Sequence, residues 1–224
     1  MHRVLLLVKI EESTSFSKSS IEDARGSKSL ERLLSLSDCV FAFAITVLAL
    51  DLVTPVIVGQ ASNAALGAAL VNEFHSFLGF FVGFWVIGLL WLSHHRLFRY
   101  IKTSDAGLLW LNLVLLFFVV LIPFAVRVLN YGYYPIALDV YASILIGTFI
   151  MYSIIWRYAS HPNRNLLDDE RISPKTRTWL SFRGFFAASI FVLSLFLAYV
   201  DPYVTLASWL SVLPLLVYLD RKYR

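Results

Sequence analysis

Six apolar runs, each about as long as a lipid bilayer is thick, constrain this chain more than any other feature. They fall at residues 34–54, 76–98, 107–129, 136–156, 179–199 and 203–219, the last of them short and interrupted by Pro214. An α-helix rises about 1.5 Å per residue, so about 20 apolar residues cross about 30 Å of hydrocarbon. In lipid the backbone N–H and C=O groups must be satisfied within the segment, which makes each run a helix. Strands of a transmembrane barrel would be shorter and would alternate strictly. Hydrophobic residues make up 58% of the 224, and charged residues only 15%. A soluble domain carries roughly 45–50% and 25%. The expected fold class is an all-α membrane protein with six transmembrane helices per subunit.

The net charge of +4 matters less than where the charges lie. Arg3, Lys9, Lys18, Arg25, Lys28 and Arg32 precede the first run, and Arg96, Arg99 and Lys102 follow the second. Arg157, Arg164, Arg171, Lys175, Arg177 and Arg183 surround the fourth connection, and Arg221, Lys222 and Arg224 follow the sixth run. The alternate connections are nearly free of them: residues 55–75 hold no Lys or Arg, and Arg127 is the single exception near the far end of the third run. Basic loops stay on the cytoplasmic side, so both termini are expected there. Basic residues scattered over four segments do not form a nucleic-acid footprint.

Residues 1–28 are polar, Ser-rich and of mixed charge, and are expected to form a disordered cytoplasmic tail. Residues 29–224 then form one six-helix domain. Val4–Val8 is too short an apolar core for a signal peptide, and no small-residue cleavage site follows it. The single cysteine, Cys39, leaves no pair for an intrachain disulfide. Thr54-Pro55 ends the first helix. The small, apolar stretch 61–74 is expected as a short interfacial helix on the outer side. The connection Asn130–Pro135 is an aromatic outer turn, and the polar loop His161–Arg177 is the longest internal one.

Arg32 stands just before the first run, and Ser37 and Asp38 lie at its entry. An aspartate at a helix centre costs roughly 2.5 to 3.5 kcal/mol on insertion. Such groups sit at a polar path, in a network between helices, or at the interface, where Arg32 can snorkel and Asp38 can reach headgroup water. Phe43, Val47 and Leu50 are spaced i, i+4, i+7 and share one face, with Thr46 beside them and Cys39 one turn earlier. Repeated around an axis, that face makes stacked apolar rings with a hydroxyl layer. Within one bundle, the same face reads as ordinary packing. Asp51 is placed to attract cations at the outer mouth or to be a solvated helix end.

His94 and His95 end the second run. Adjacent helical residues point about 100° apart and cannot converge on one metal ion. A hydrogen bond from a histidine to Asp38 or to a backbone carbonyl is the expected use. Tyr131-Gly132-Tyr133 has a superficial likeness to a potassium-filter loop, but its flanking residues are wrong for one. No nucleophile–base pair or metal constellation points to an enzyme.

Arg32-Leu33-Leu34-Ser35-Leu36-Ser37-Asp38 resembles the Arg-x-x-x-Phe-Ser-Asp signature of the transmembrane protein 175 family of potassium channels. Val40 to Asp51 resembles the rest of that family's first helix; Trp91–Phe98 and Leu111–Phe124 resemble parts of its second and third. The likeness covers about residues 30–128, and Leu36 stands in place of the signature phenylalanine. The resemblance implies a homotetramer in the bilayer of the cell membrane, with the first helix of each subunit lining a leaky, potassium-selective pore. It implies a constriction at Phe43, Val47 and Leu50, and a selectivity role for Thr46. Arg32, Ser37 and Asp38 become a structural network, which we extend to His94 and His95. Phe43 stands where an isoleucine is common, which leaves the narrowest ring open. No cofactor is implied, and no metal beyond permeating potassium. The rival expectation is a proton-coupled secondary transporter working through Asp38, His94 and His95.

Overall fold

A computed structural model describes the backbone of residues 2–50, 52, 56–57, 60, 62–168 and 172–222; the side chains of residues 2–24, 75, 213, 214 and 217 lie outside the described residues. Asp51, Thr54 and Pro55 therefore lie outside it as well. The helices are α1 (His2–Ala49), α2 (Asn63–Asn72), α3 (Phe74–Phe98), α4 (Ala106–Leu129), α5 (Pro135–Ala159), α6 (Pro174–Leu197) and α7 (Pro202–Lys222). A 3-10 turn, Pro162–Arg164, lies between α5 and α6.

Among the described residues, five helical stretches are long and apolar enough to cross a membrane: Arg25–Ala49, Ser76–Phe98, Ala106–Leu129, Pro135–Ala159 and Pro174–Leu197. The sixth expected run falls within α7, where three side chains are outside the described residues. The segment expected as a disordered tail has a helical backbone continuous with α1 from His2 onward. The stretch expected as an interfacial helix is α2, with no buried residue. Ser62 caps it, its Oγ accepting from the Ala65 N–H at 3.1 Å.

Local chemistry sets the helix ends. Asp105 caps α4, its carboxylate accepting from the Leu108 N–H at 2.8 Å. Ser173 caps α6, accepting from the Thr176 N–H at 3.1 Å, and Pro174 follows at the first helical position. That pair starts α6 at residue 174, so the polar loop expected to run to Arg177 is shorter. Pro135 opens α5 in the same way.

The core is a bundle in which α5 packs between α4 and α6, while α1 lies against α3 and α4. Buried residues from every large helix join one cluster, including Phe41, Ile87, Leu115, Ile122, Leu145, Trp156, Phe191 and Val212. Helices α5 and α6 approach so closely that a Cβ on Gly184 would stand 2.1 Å from the Phe149 carbonyl oxygen. The Ser153 Oγ uses the same gap to accept from the Phe185 N–H at 3.1 Å.

One end of the bundle gathers the basic segments. There the Ser104 N–H donates to the Gly26 carbonyl at 3.3 Å, and the Lys102 N–H to the Leu166 carbonyl at 2.9 Å. Arg96 of α3 reaches Asp220 of α7 at 3.4 Å. Arg164 pairs with Asp105 at 3.0 Å while its guanidinium lies 3.7 Å from the centre of the Tyr158 ring. The opposite end is aromatic. Tyr199 donates to Asp139 at 2.9 Å, and the Tyr133 and Tyr203 rings meet edge-on at 6.4 Å.

Candidate functional site

Helix α1 has two opposed stripes. Leu33, Ser37, Phe41, Ala44 and Leu48 are buried, at spacings of three and four residues that keep them on one face. They face α3 and α4, the helices that α1 contacts. The other stripe turns out of the subunit. Phe43 is 67% exposed and Leu50 is 78% exposed. Leu36, Cys39, Ala42, Thr46 and Ala49 are exposed too, and Val47 is half-buried at the edge. Packing inside one subunit, the alternative left open by the spacing, does not account for this face. Within it the Thr46 hydroxyl donates to the Phe43 carbonyl at 2.9 Å. The proton is committed to the helix, so the oxygen lone pairs are what Thr46 presents outward.

The signature residues divide between two polar contacts. Ser37 is buried, and its Oγ donates to the Leu33 carbonyl at 2.9 Å. The same oxygen accepts from the Asn112 Nδ2 of α4 at 2.9 Å. The Asn112 Oδ1 lies 2.9 Å from the His94 Nε2 of α3. One buried chain, Ser37–Asn112–His94, thus ties three helices together. Its proton assignments follow from the geometry. Ser37 has given its only proton to the backbone, so the asparagine must present NH₂ to it and oxygen to the histidine. His94 Nε2 therefore carries a hydrogen. The imidazole is further fixed by stacking on Phe98, with centroids 4.3 Å apart, and by a tilted contact with Phe41 at 5.5 Å.

Asp38 points about 100° away from Ser37. Its Oδ1 accepts from the Trp91 indole Nε1 at 2.8 Å. The Trp91 ring in turn lies 6.0 Å from that of His95, which is exposed. The expected histidine bond to Asp38 or to a backbone carbonyl is thus replaced by two others. His94 takes Asn112, and Asp38 takes Trp91, one helical turn before His94. Arg32 is exposed and joins no ion pair among the described residues. No group of three or more His, Cys, Asp or Glu is placed to hold a metal ion among the described residues.

Sequence reasoning missed two members. Asn112 is the only amide in a helix that is apolar apart from Arg127 in its last turn, and an intramembrane asparagine is a standing candidate for an interhelical hydrogen bond. Trp91 carried no such signal, because tryptophan near a helix end is explained equally well by the membrane interface.

The arrangement can act in two ways. The buried chain and the Asp38–Trp91 bond fix the rotation of α1 about its own axis. The face so presented is apolar, with one layer of outward oxygen lone pairs and a thiol below it.

Comparison with known proteins places this geometry. The family described as endosomal/lysosomal potassium channel TMEM175 matches residues 32–123. A potassium channel of Chamaesiphon minutus is 32% identical over 142 residues, covering 60% of this chain and 68% of the relative. A potassium channel of Streptomyces collinus is 29% identical over 182 residues, covering 79% of this chain and 86% of the relative. The human endosomal/lysosomal proton channel TMEM175 is 35% identical over 102 residues, but those cover only 20% of its length. In three dimensions the chain is similar to a crystal structure of a lysosomal potassium-selective channel TMEM175 homolog from Chamaesiphon minutus. The TM-score is 0.69 at 22% identity, covering 88% of this chain and 99% of that one, which establishes a shared fold. With its signature inside α1, where the apolar part of that helix begins, and that face turned outward, this chain belongs to the TMEM175 family of ion channels.

Proposed function

We propose that this chain forms a potassium-selective, rather leaky cation channel in a prokaryotic cytoplasmic membrane, passing ions passively down their electrochemical gradient. Four copies set α1 around a common axis. α7 is the sixth span, both termini are cytoplasmic, and residues 1–28 are a cytoplasmic tail. Phe43, Val47 and Leu50 form apolar rings that close by dewetting, and Thr46 supplies a ring of oxygen lone pairs between them. Ser37, Asp38 and His94, with Asn112 and Trp91, hold α1 at the rotation this requires. Arg32 and His95 serve at the cytoplasmic interface.

One observation carries the reading. The α1 face bearing Phe43, Thr46 and Leu50 is turned out of the subunit, while the opposite face is buried. A ring at Phe43 and a lone-pair layer at Thr46 have a use only if copies of α1 face one another. The potassium channels among the relatives support the same choice of ion. Basic residues gathered at one end of the bundle support the topology.

The test is potassium flux from liposomes holding the purified protein, together with the symmetry of the particle. Thr46→Val keeps the shape and removes the lone pairs. It should lower potassium-over-sodium preference in intact tetramers. An unchanged permeability ratio removes Thr46 from the selectivity step, and a particle whose axis is lined by another helix removes the whole arrangement.

A second reading, proton movement through Asp38 and His95, draws on their shared exposure beside Trp91 and on the proton-channel names of the animal relatives. Reversal potentials separate the two. A potassium channel follows the potassium gradient, whereas proton movement shifts the potential with pH.

A further inference from the structure

At the basic end of the bundle, outside the α1 site, a cleft opens between α3, α5, α6 and α7. Arg96, Arg99 and Arg183 line it, together with Thr176, Trp179 and Asp220. Asp220 is the one carboxylate among the described residues on its wall. It accepts from the Arg183 Nε at 3.0 Å, from the Trp179 Nε1 at 2.8 Å and from Arg96 at 3.4 Å. Among the described residues that line it, three guanidinium groups stand with one carboxylate. Asp220 also orients the donors, because each group it holds is fixed on the wall. Arg99 lies over the Tyr100 ring at 5.8 Å.

The position of the cleft selects its ligand. Arg96 and Arg99 lie at the last turn of α3, Thr176 and Trp179 in the first turns of α6, and Asp220 in the last turn of α7. These are the helix ends at headgroup level. Arg183 lies nine residues beyond Pro174, about 13 Å deeper along α6. Phe182 and Phe186 flank it and are exposed, an apolar outer wall for hydrocarbon. A basic mouth at headgroup depth with an aromatic surface below it matches a molecule that joins a phosphate to an acyl chain.

We propose that this cleft binds the phosphate headgroup of an anionic phospholipid, with the acyl chains lying along the exposed aromatic face of α6. The site rests on the topology of the channel reading only for which leaflet supplies the lipid. By bridging α3 and α6 the lipid would join the helix carrying Trp91 and His94 to the outer helices of the subunit.

The test is native mass spectrometry of the purified full-length protein with dioleoyl phosphatidylglycerol or dioleoyl phosphatidylcholine. Phosphatidylglycerol should be retained preferentially. Arg99→Gln leaves the Asp220 clamp intact and should weaken its retention about fivefold, the contribution of one basic residue near a lipid surface. Arg157→Gln, a change on α5 away from the cleft, should leave it unaltered. Equal retention of the two lipids, or equal loss in both variants, overturns the proposal. Displacement of the lipid by millimolar inorganic phosphate assigns the cleft to a soluble anion and overturns the lipid assignment. A protein that binds phosphatidylglycerol here yet passes no potassium keeps this site and loses the channel reading.

Discussion

Replacing Asn112 with leucine isolates the contribution of the buried chain. The two side chains share the same branched four-atom skeleton, with methyl groups in place of the amide oxygen and nitrogen, so leucine removes the hydrogen bonds while adding some bulk. Two hydrogen bonds disappear, to Ser37 and to His94, each 2.9 Å long in the native protein. Ser37 still donates to the Leu33 carbonyl, so only an acceptor is left idle there. His94 is worse placed: it is buried, and its Nε2–H loses its partner. Interhelical hydrogen bonds within membranes average about 0.6 kcal/mol and reach about 1.7. Two of them give about 1.2 to 3.4 kcal/mol. The low end applies if water reaches His94, and the high end if the site stays dry. Leucine gains some apolar burial in return, so the single variant alone is ambiguous. The clean quantity is the coupling between Ser37→Ala and Asn112→Leu in a double-mutant cycle, read from reversible unfolding in detergent micelles. We expect about 0.5 to 1.5 kcal/mol of coupling. Additive effects, within about 0.3 kcal/mol, would refute the claim that these residues act as one unit.

Asp38→Ala removes the acceptor for the Trp91 indole and should lower the thermal stability of the assembly, by about 1 kcal/mol, more than it alters permeability ratios. Normal stability with altered permeation would place the aspartate in the path instead. Gly184→Ala drives a methyl group into the Phe149 carbonyl and should cost roughly 1–3 kcal/mol through forced separation of α5 and α6. An unchanged melting temperature would count against that close contact. Cys39 is the only cysteine and lies on the outward stripe of α1, so a charged thiol reagent from the cytoplasmic side should block current in the native channel but not in Cys39→Ser. Current that persists after complete labelling argues that α1 does not line the path.

The sequence by itself determined the helices. Apolar runs of bilayer length leave the backbone no other way to satisfy its hydrogen bonds, and the described spans follow the expected runs to within a few residues at most ends. The largest shift is at the first span, which begins at Arg25 rather than at residue 34; the shift at the start of α6 came from a local cap and proline that were legible in Ser173-Pro174. The Arg32–Asp38 pattern marked α1 as the helix to watch, because a charged group at the head of a span needs a reason. Periodicity also put Phe43, Val47 and Leu50 on one face, yet could not say whether that face looks inward or outward. An apolar stripe has the same spacing in either case. Only the tertiary structure decided it, by burying Phe41, Ala44 and Leu48 against α3 and α4 and leaving Phe43 and Leu50 outside. The partners of the polar residues were decided there too. A hydrogen bond is directional and short, so whether His94 meets Asp38 or Asn112 depends on helix rotations of a few tens of degrees, which no spacing along the chain encodes.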